Sequence, residues 1–509
     1  MPAASDKSLG ATDETTNANG ETPMVTAPRA KIARRIVFLL AAMATFAGAH
    51  VGSPDVFLEG SAGPYPMFVT IRPPSVIPGV AEIEIRSASP DIQEIHITPI
   101  PMIGAASKYS PTPDVMQRSK QDPQFFTGSV WIMASGSWQV RIQAAGAQGA
   151  GQLSVPVPAM ATGIKPMQTA IGVGLFLMMI VLALGLVSIV GAGAREAQLD
   201  AGKAPDRRSK VRARILMAAT AAFVVFVLWA ANSWWASEAD EYAGYVYKPL
   251  GMSLELLPPD TEHTARLILT LKVTNWKVFR NLTDLVPDHG HLMHLYVIGE
   301  PDAKRVWHLH PEMTSGGIFL QLLPPIPAGR YKLYGDVVHR SGFPETAVAE
   351  LDVPVNIVGT PLTGDDAAGV RGESPDGAHV VWDRDDSSPL QAKKVSLFKF
   401  KLVDKDGAPV PDAELYMGMP GHAAFVKNDG TVFAHIHPSG SVSMAALMVA
   451  NPSMRDQGMQ HMINQMPMNG LPAEVSFPYA FPTPGEYRII VNMKHGGVIE
   501  TGIFDASVR

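Results

Sequence analysis

The 509-residue chain contains no cysteine. That absence removes disulfide scaffolds, iron–sulfur clusters, thiolate zinc sites, cysteine nucleophiles and blue-copper centres, so any metal must be held by histidine, methionine or carboxylate. Charge is also scarce: 17% of residues are Asp, Glu, Lys or Arg, with a formal net charge of −6. Such a balance offers no basic patch for nucleic acid. Catalytic signatures are missing too: there is no Gly-x-Ser-x-Gly elbow, phosphate-binding glycine loop or His-Glu-x-x-His helix, and the chain is read as a non-enzyme. What is abundant is apolar residues, at 46%, with 45 Gly and 43 Pro. A chain this long exceeds one hydrophobic core, and frequent Gly and Pro favour short strands joined by turns.

Three apolar runs set the topology. Residues 36–49 (IVFLLAAMATFAGA) follow Arg29, Lys31, Arg34 and Arg35 and end in an A-x-A pattern, as a signal peptide does; an uncleaved anchor is the alternative. Residues 166–194 and 215–237 are uncharged and each long enough to cross a bilayer. The loop between them, 195–214, carries seven Lys and Arg, which makes it cytoplasmic by the positive-inside rule. Trp234 and Trp235 suit the opposite interface. Residues 50–165 and 238–509 then share the outer compartment, the periplasm of a bacterium whose inner membrane holds the hairpin.

Outside the membrane the reading is mainly β. Period-two stretches such as Ala81 to Ile85 and Ile92 to Ile97 predict an antiparallel sandwich over 50–165. Two more sandwiches are expected at 243–358 and 393–509, joined by a polar linker at 359–392. The fold class is therefore three immunoglobulin- or cupredoxin-like antiparallel β-sandwiches plus a two-helix transmembrane hairpin.

The last two segments repeat each other. GHLMHLYVI, VWHLHPE and PPIPAGRYKLYGDVVHRSG in the first answer GHAAFVKNDG, VFAHIHPSG and FPTPGEYRIIVNMKHGG in the second. The matched histidines are His291, His308, His310 and His339, and His422, His435, His437 and His495. Thirteen of the fifteen histidines lie after residue 240. Residues i and i+2 of a strand share a face about 7 Å apart, so each His-x-His presents paired imidazoles, and a set of four nitrogens suits Cu(II) or Zn(II). The second repeat also has a Met-rich insertion with Met459, His461, Met462 and Met466, soft donors for Cu(I) or else an apolar lid. Cleavage after Ala49 would free the amine of His50 as a further Cu(II) chelator. The competing reading is an envelope interaction protein whose histidines only stabilise turns.

With these motifs in view, the C-terminal units resemble the YtkA-like bacterial extracytoplasmic domains, most closely along GHAAFVKNDGTVFAHIHPSGSVSMAAL. The AHVGSPDVF stretch is similar to the mature start of copper-resistance proteins of the CopC type, although no Asp-x-His pair follows it. The resemblance implies an immunoglobulin- or cupredoxin-like fold near metal-handling systems. The expectation is a membrane-anchored periplasmic protein that binds copper, with zinc as the second choice. It would serve tolerance, or delivery to another membrane metalloprotein.

Overall fold

The computed structural model describes residues 55–200, 202–261, 263–367, 377–384, 389–454 and 471–509. His50, Met459, His461, Met462, Met466 and the expected signal peptide lie outside them. The described chain is mainly β, with several sheets and two long apolar helices. These helices, α1 (Thr169–Glu196) and α2 (Arg207–Ala243), are long and apolar enough to cross a membrane, and their apolar windows bury nothing against the protein. Leu182, Ile189, Phe223 and Trp229 stand exposed on them, each more than 60% accessible, which a water-facing helix would not tolerate over such a length. The structure extends α2 beyond the expected 215–237 at both ends. Asp206 caps it by accepting from the Ser209 amide at 2.8 Å, where dipole and orphan amides favour an acid.

Before the helices, a five-stranded sheet (Val56–Ala62, Tyr65–Arg72, Gly79–Ser87, Phe125–Ile132, Gln117–Arg118) and a four-stranded sheet (Asp114–Val115, Ile92–Pro101, Gly136–Gly146, Gly149–Ala159) enclose one apolar core. Alternation explains it: Ala81, Ile83 and Ile85 are buried while Val80 and Glu82 face out. After the helices, a nine-stranded sheet surrounds a second core. Three-stranded and five-stranded sheets share a third.

The two C-terminal repeats share the strands that carry the histidines. In the first, His294–Gly299 lies between Val306–Leu309 and Gly329–His339. In the second, His422–Lys427 lies between Phe433–Ile436 and Gly485–His495. Both central strands are buried on two faces. Leu295 and Val297 enter one repeat's own core, while Tyr296 and Ile298 join Ala424, Val426, Phe433 and Ile490 from the other repeat. The repeats therefore pack sheet to sheet, with Tyr334 stacked on Phe433 at 4.3 Å between ring centroids. The stretch expected as a linker contributes the strand His379–Asp383 and a 3-10 turn, Gly364–Ala367. A short helix, α3 (Met444–Ala450), leans on the first core through Ala446 and Leu447. Asn451 at its end binds both the amide and the carbonyl of Ser154.

Candidate metal centre between the repeats

Strand alternation delivers histidines to the inter-repeat face. Trp307 and Leu309 point into the first repeat's core, so His308 and His310 point out of it; Ala434 and Ile436 do the same for His435 and His437. His294 and His422 begin the neighbouring central strands and share that face. The last two arrive on a tight turn. Asp288 and His291 exchange both backbone hydrogen bonds, at 2.9 and 3.0 Å, around His289 (φ 52°) and Gly290 (φ 90°). Positive φ at both central residues is the geometry of a type I′ turn, and a histidine there is strained. That conformation lets His289 reach across to the second repeat.

Eight imidazoles result, and six of them fall into two sets. His294, His308 and His310 offer ligand nitrogens that all lie within 4.8 Å of one another, and so do His289, His422 and His437. The tetrahedral edge for metal–nitrogen bonds of 2.0–2.1 Å is about 3.3 Å, so modest ring rotations close each set. His435 sits between them, its ring 5.1 Å from His294 and 5.6 Å from His422. His291 stacks on His310 at 4.0 Å.

Hydrogen bonds behind the rings fix which nitrogen carries the proton. His294 Nε2 donates to the Asp288 carbonyl at 3.0 Å, His310 Nδ1 to the Asp366 carboxylate at 2.6 Å and His437 Nδ1 to the Val442 carbonyl at 3.2 Å. The Tyr416 hydroxyl gives its proton to the Asp365 carbonyl and so accepts from His308 Nδ1 at 3.2 Å. A neutral imidazole has one proton, so lone pairs remain on His294 Nδ1, His308 Nε2, His310 Nε2 and His437 Nε2. Two of them, His294 Nδ1 and His308 Nε2, face each other at 3.1 Å. A proton between them would require the other tautomer of His308, drawing the Tyr416 hydroxyl away from Asp365, or that of His294, leaving two acceptors face to face at the Asp288 carbonyl. An ion between them requires neither.

Burial is nearly complete, and it keeps the rings neutral. Desolvation, reinforced by repulsion from neighbouring imidazoles, holds His294, His308, His422 and His437 well below the usual histidine range. Burial also lowers His289 despite Asp288, and His310 despite its bond to Asp366. Six buried nitrogens make no hydrogen bond among the described residues: Nε2 of His289, His310, His435 and His437, and both nitrogens of His422. At about 1–3 kcal/mol each they cost on the order of 10 kcal/mol, comparable with the whole stability of a domain. Such nitrogens are ones that an ion or buried water could satisfy.

His339 and His495 stand apart from both sets. His339 is held by Asp284 at 2.7 Å and Glu345 at 3.1 Å, and Glu345 also accepts from Arg280 at 2.6 Å. His495 lies 3.7 Å from both Asp412 and Glu500. They are equivalent positions closing equivalent strands, and their carboxylate partners make them turn and strand-end anchors. The pairing of the Gly-His motifs also changes. His294 lies opposite Asp336, and His422 opposite Asn492, at matching points of matching strands, so His422 corresponds to His294 and His291 corresponds to Met419. His289, His294, Asp365 and Asp366 were not singled out from the sequence. DHGHLMH carried the first two in plain view, whereas the acidic pair gave no signal within a polar stretch.

The family described as "Domain of unknown function (DUF8832)" matches residues 251–355 and 373–509, the two repeats that form this centre. No curated protein matches the chain. Among solved structures, red sea bream transglutaminase is 10% identical with a TM-score of 0.15, over 54% of this chain and 33% of that one. Escherichia coli α2-macroglobulin is 9% identical with a TM-score of 0.19, over 89% of this chain and 23% of that one. The chain spans about a third of the transglutaminase and less of the macroglobulin, and likenesses this low bear on neither fold nor function.

Proposed function

We propose that the protein is a membrane-anchored extracytoplasmic metal-binding protein that holds copper between its two C-terminal repeats. Zinc is the second choice, since divalent affinity at nitrogen sites peaks at copper. In this reading α1 and α2 anchor three β-sandwich units on the periplasmic side of a bacterial inner membrane. The bound metal serves tolerance, or delivery to another membrane metalloprotein. The role is capture and transfer, with no chemical turnover. The resemblance of the repeats to YtkA-like domains agrees with this placement.

One observation carries the reading: backing hydrogen bonds turn the lone pairs of His294 and His308 toward each other at 3.1 Å, in a cluster with six further unpartnered nitrogens. Buried polar groups are otherwise paired. For His339 and His495 the competing, turn-stabilising reading is the better one, because each lies against two carboxylates.

The test is metal content of the full chain purified from membranes, followed by titration with Cu(II) and Zn(II). Copper retained after buffer exchange, reduced in His422→Gln and kept in full in His339→Gln, is the expected result. No copper or zinc bound at micromolar metal refutes the proposal.

A further inference from the structure

We propose that the two histidine sets form one binuclear copper centre, its two ions sharing a water-derived oxygen supplied through an acidic cavity. This rests on the metal-binding reading and adds the number of ions, their coupling and the bridging ligand. The sets are interleaved. His289 lies 4.9 Å from His422 and 4.8 Å from His437, the other members of its set, and only 6.2 Å from His294 of the opposite set. His308 and His422, also from opposite sets, are 6.4 Å apart. Ions held by such ligands are close neighbours.

Each set supplies three nitrogens, which leaves at least one coordination position per ion for a ligand that is not protein. One ring of each set borders the same space. A cavity of about 120 Å³ is lined by His294 from one set, His437 from the other and His435 between them, and it has room for several waters. The same wall includes Asp288 and Asp336. Carboxylates there favour cations and neutral water over external anions, so the cavity admits the metal and then supplies the bridge. One bound water loses one proton to solvent through the cavity, and the hydroxide that remains spans both ions. Its negative charge offsets the repulsion between two like-charged ions. His435, with Nε2 unpartnered, is placed to complete either ion's shell.

The experiment uses the full chain in detergent, loaded with Cu(II) alone and freed of weakly held metal by buffer exchange. Copper per chain and the spin count by electron paramagnetic resonance are measured together. Two coppers per chain with a signal far below two spins is the expected outcome, because a bridging oxygen couples the pair. Two coppers with the full two-spin signal overturn the binuclear centre, and so does a single copper with one spin, although either leaves the metal-binding reading standing. No copper at all overturns both. His289→Gln, in the set that draws on both repeats, should leave one copper with its full spin. If that variant fails to fold, the spin count of the unaltered chain still decides the matter.

Discussion

Asp366 tests the site without touching a ligand. Its carboxylate accepts from His310 Nδ1 at 2.6 Å and from Gln321 Nε2 at 3.0 Å. Burial raises its pKa, yet the contacts with His310 and Gln321 together outweigh that and hold Asp366 below the usual carboxylate range, so it is ionised beside a neutral imidazole. The carboxylate thus fixes the His310 tautomer, with Nε2 free for metal, and makes that nitrogen a stronger donor. In Asp366→Asn the amide oxygen can still accept from His310 if Gln321 turns over to present Oε1, which has no partner in the native arrangement. Orientation survives and the negative charge is lost. In Asp366→Ala both are lost. Outer-shell changes of this kind weaken metal affinity about 10- to 100-fold, or roughly 1.4–2.8 kcal/mol. Asparagine belongs at the lower end of that range and alanine at the upper. Competition against a chelator of known copper affinity measures the difference. Affinities for both variants within twofold of the parent would refute the assigned tautomer and, with it, the convergence of lone pairs.

Two further outcomes follow from the same geometry. In the metal-free chain, six cluster histidines have lowered pKa values. The unfolded chain therefore binds more protons than the folded one below about pH 6.5, and each such group removes up to about 1.4 kcal/mol per pH unit as pH falls toward its folded value. His339 acts oppositely: burial lowers it, but Glu345 and Asp284 outweigh that and raise it, so its contribution is complete below about pH 6.5 and fades as pH rises through its folded value. Six groups outweigh one, and the melting temperature in detergent should fall between pH 7 and pH 5.5; an unchanged value would contradict burial of the cluster. Glu345→Ala leaves the Arg280 guanidinium, 2% exposed, without its carboxylate, which should cost about 3–5 kcal/mol. Copper per folded chain should not change, and a loss of copper would assign Glu345 to the centre.

The sequence reading reached the His-x-His pairs because strand periodicity and the following proline or serine-glycine turn are local signals. His308, His310, His435 and His437 could be placed on one face without knowing the neighbouring strands. It grouped His339 and His495 with them for the same reason. They recur at equivalent positions, but recurrence reflects the shared fold, and the structure sets both apart from the two sets, against the carboxylates of Asp284, Glu345, Asp412 and Glu500. His294 was hidden by a three-residue ambiguity. Gly290-His291 and Gly421-His422 align as letters, whereas ladder register aligns His294 with His422. Asp365 and Asp366 lie more than 50 residues from His310 along the chain, and no local pattern brings them to it.

On the proposed metal-binding reading, docking of the repeats and filling of the centre are one equilibrium. His422 and His437 come from the second repeat and gain their third partner, His289, only from the first; the first set depends on Tyr416 of the second repeat to orient His308. One set draws a ligand from each repeat, and the other takes an orienting hydroxyl from across the interface. The apolar contact that aligns them, Tyr296 and Tyr334 against Phe433, lies directly beside the imidazoles, with Tyr296 stacked on His308 at 4.2 Å. An ion that binds only the docked arrangement stabilises docking by its own binding free energy. The turn that supplies His289 has diverged in the second repeat, where Met417 and Met419 hold the positions of His289 and His291 at the same backbone geometry. Exact duplication would have produced two equal sites. This divergence leaves an imidazole turn in one repeat and a methionine turn at the register-equivalent place in the other.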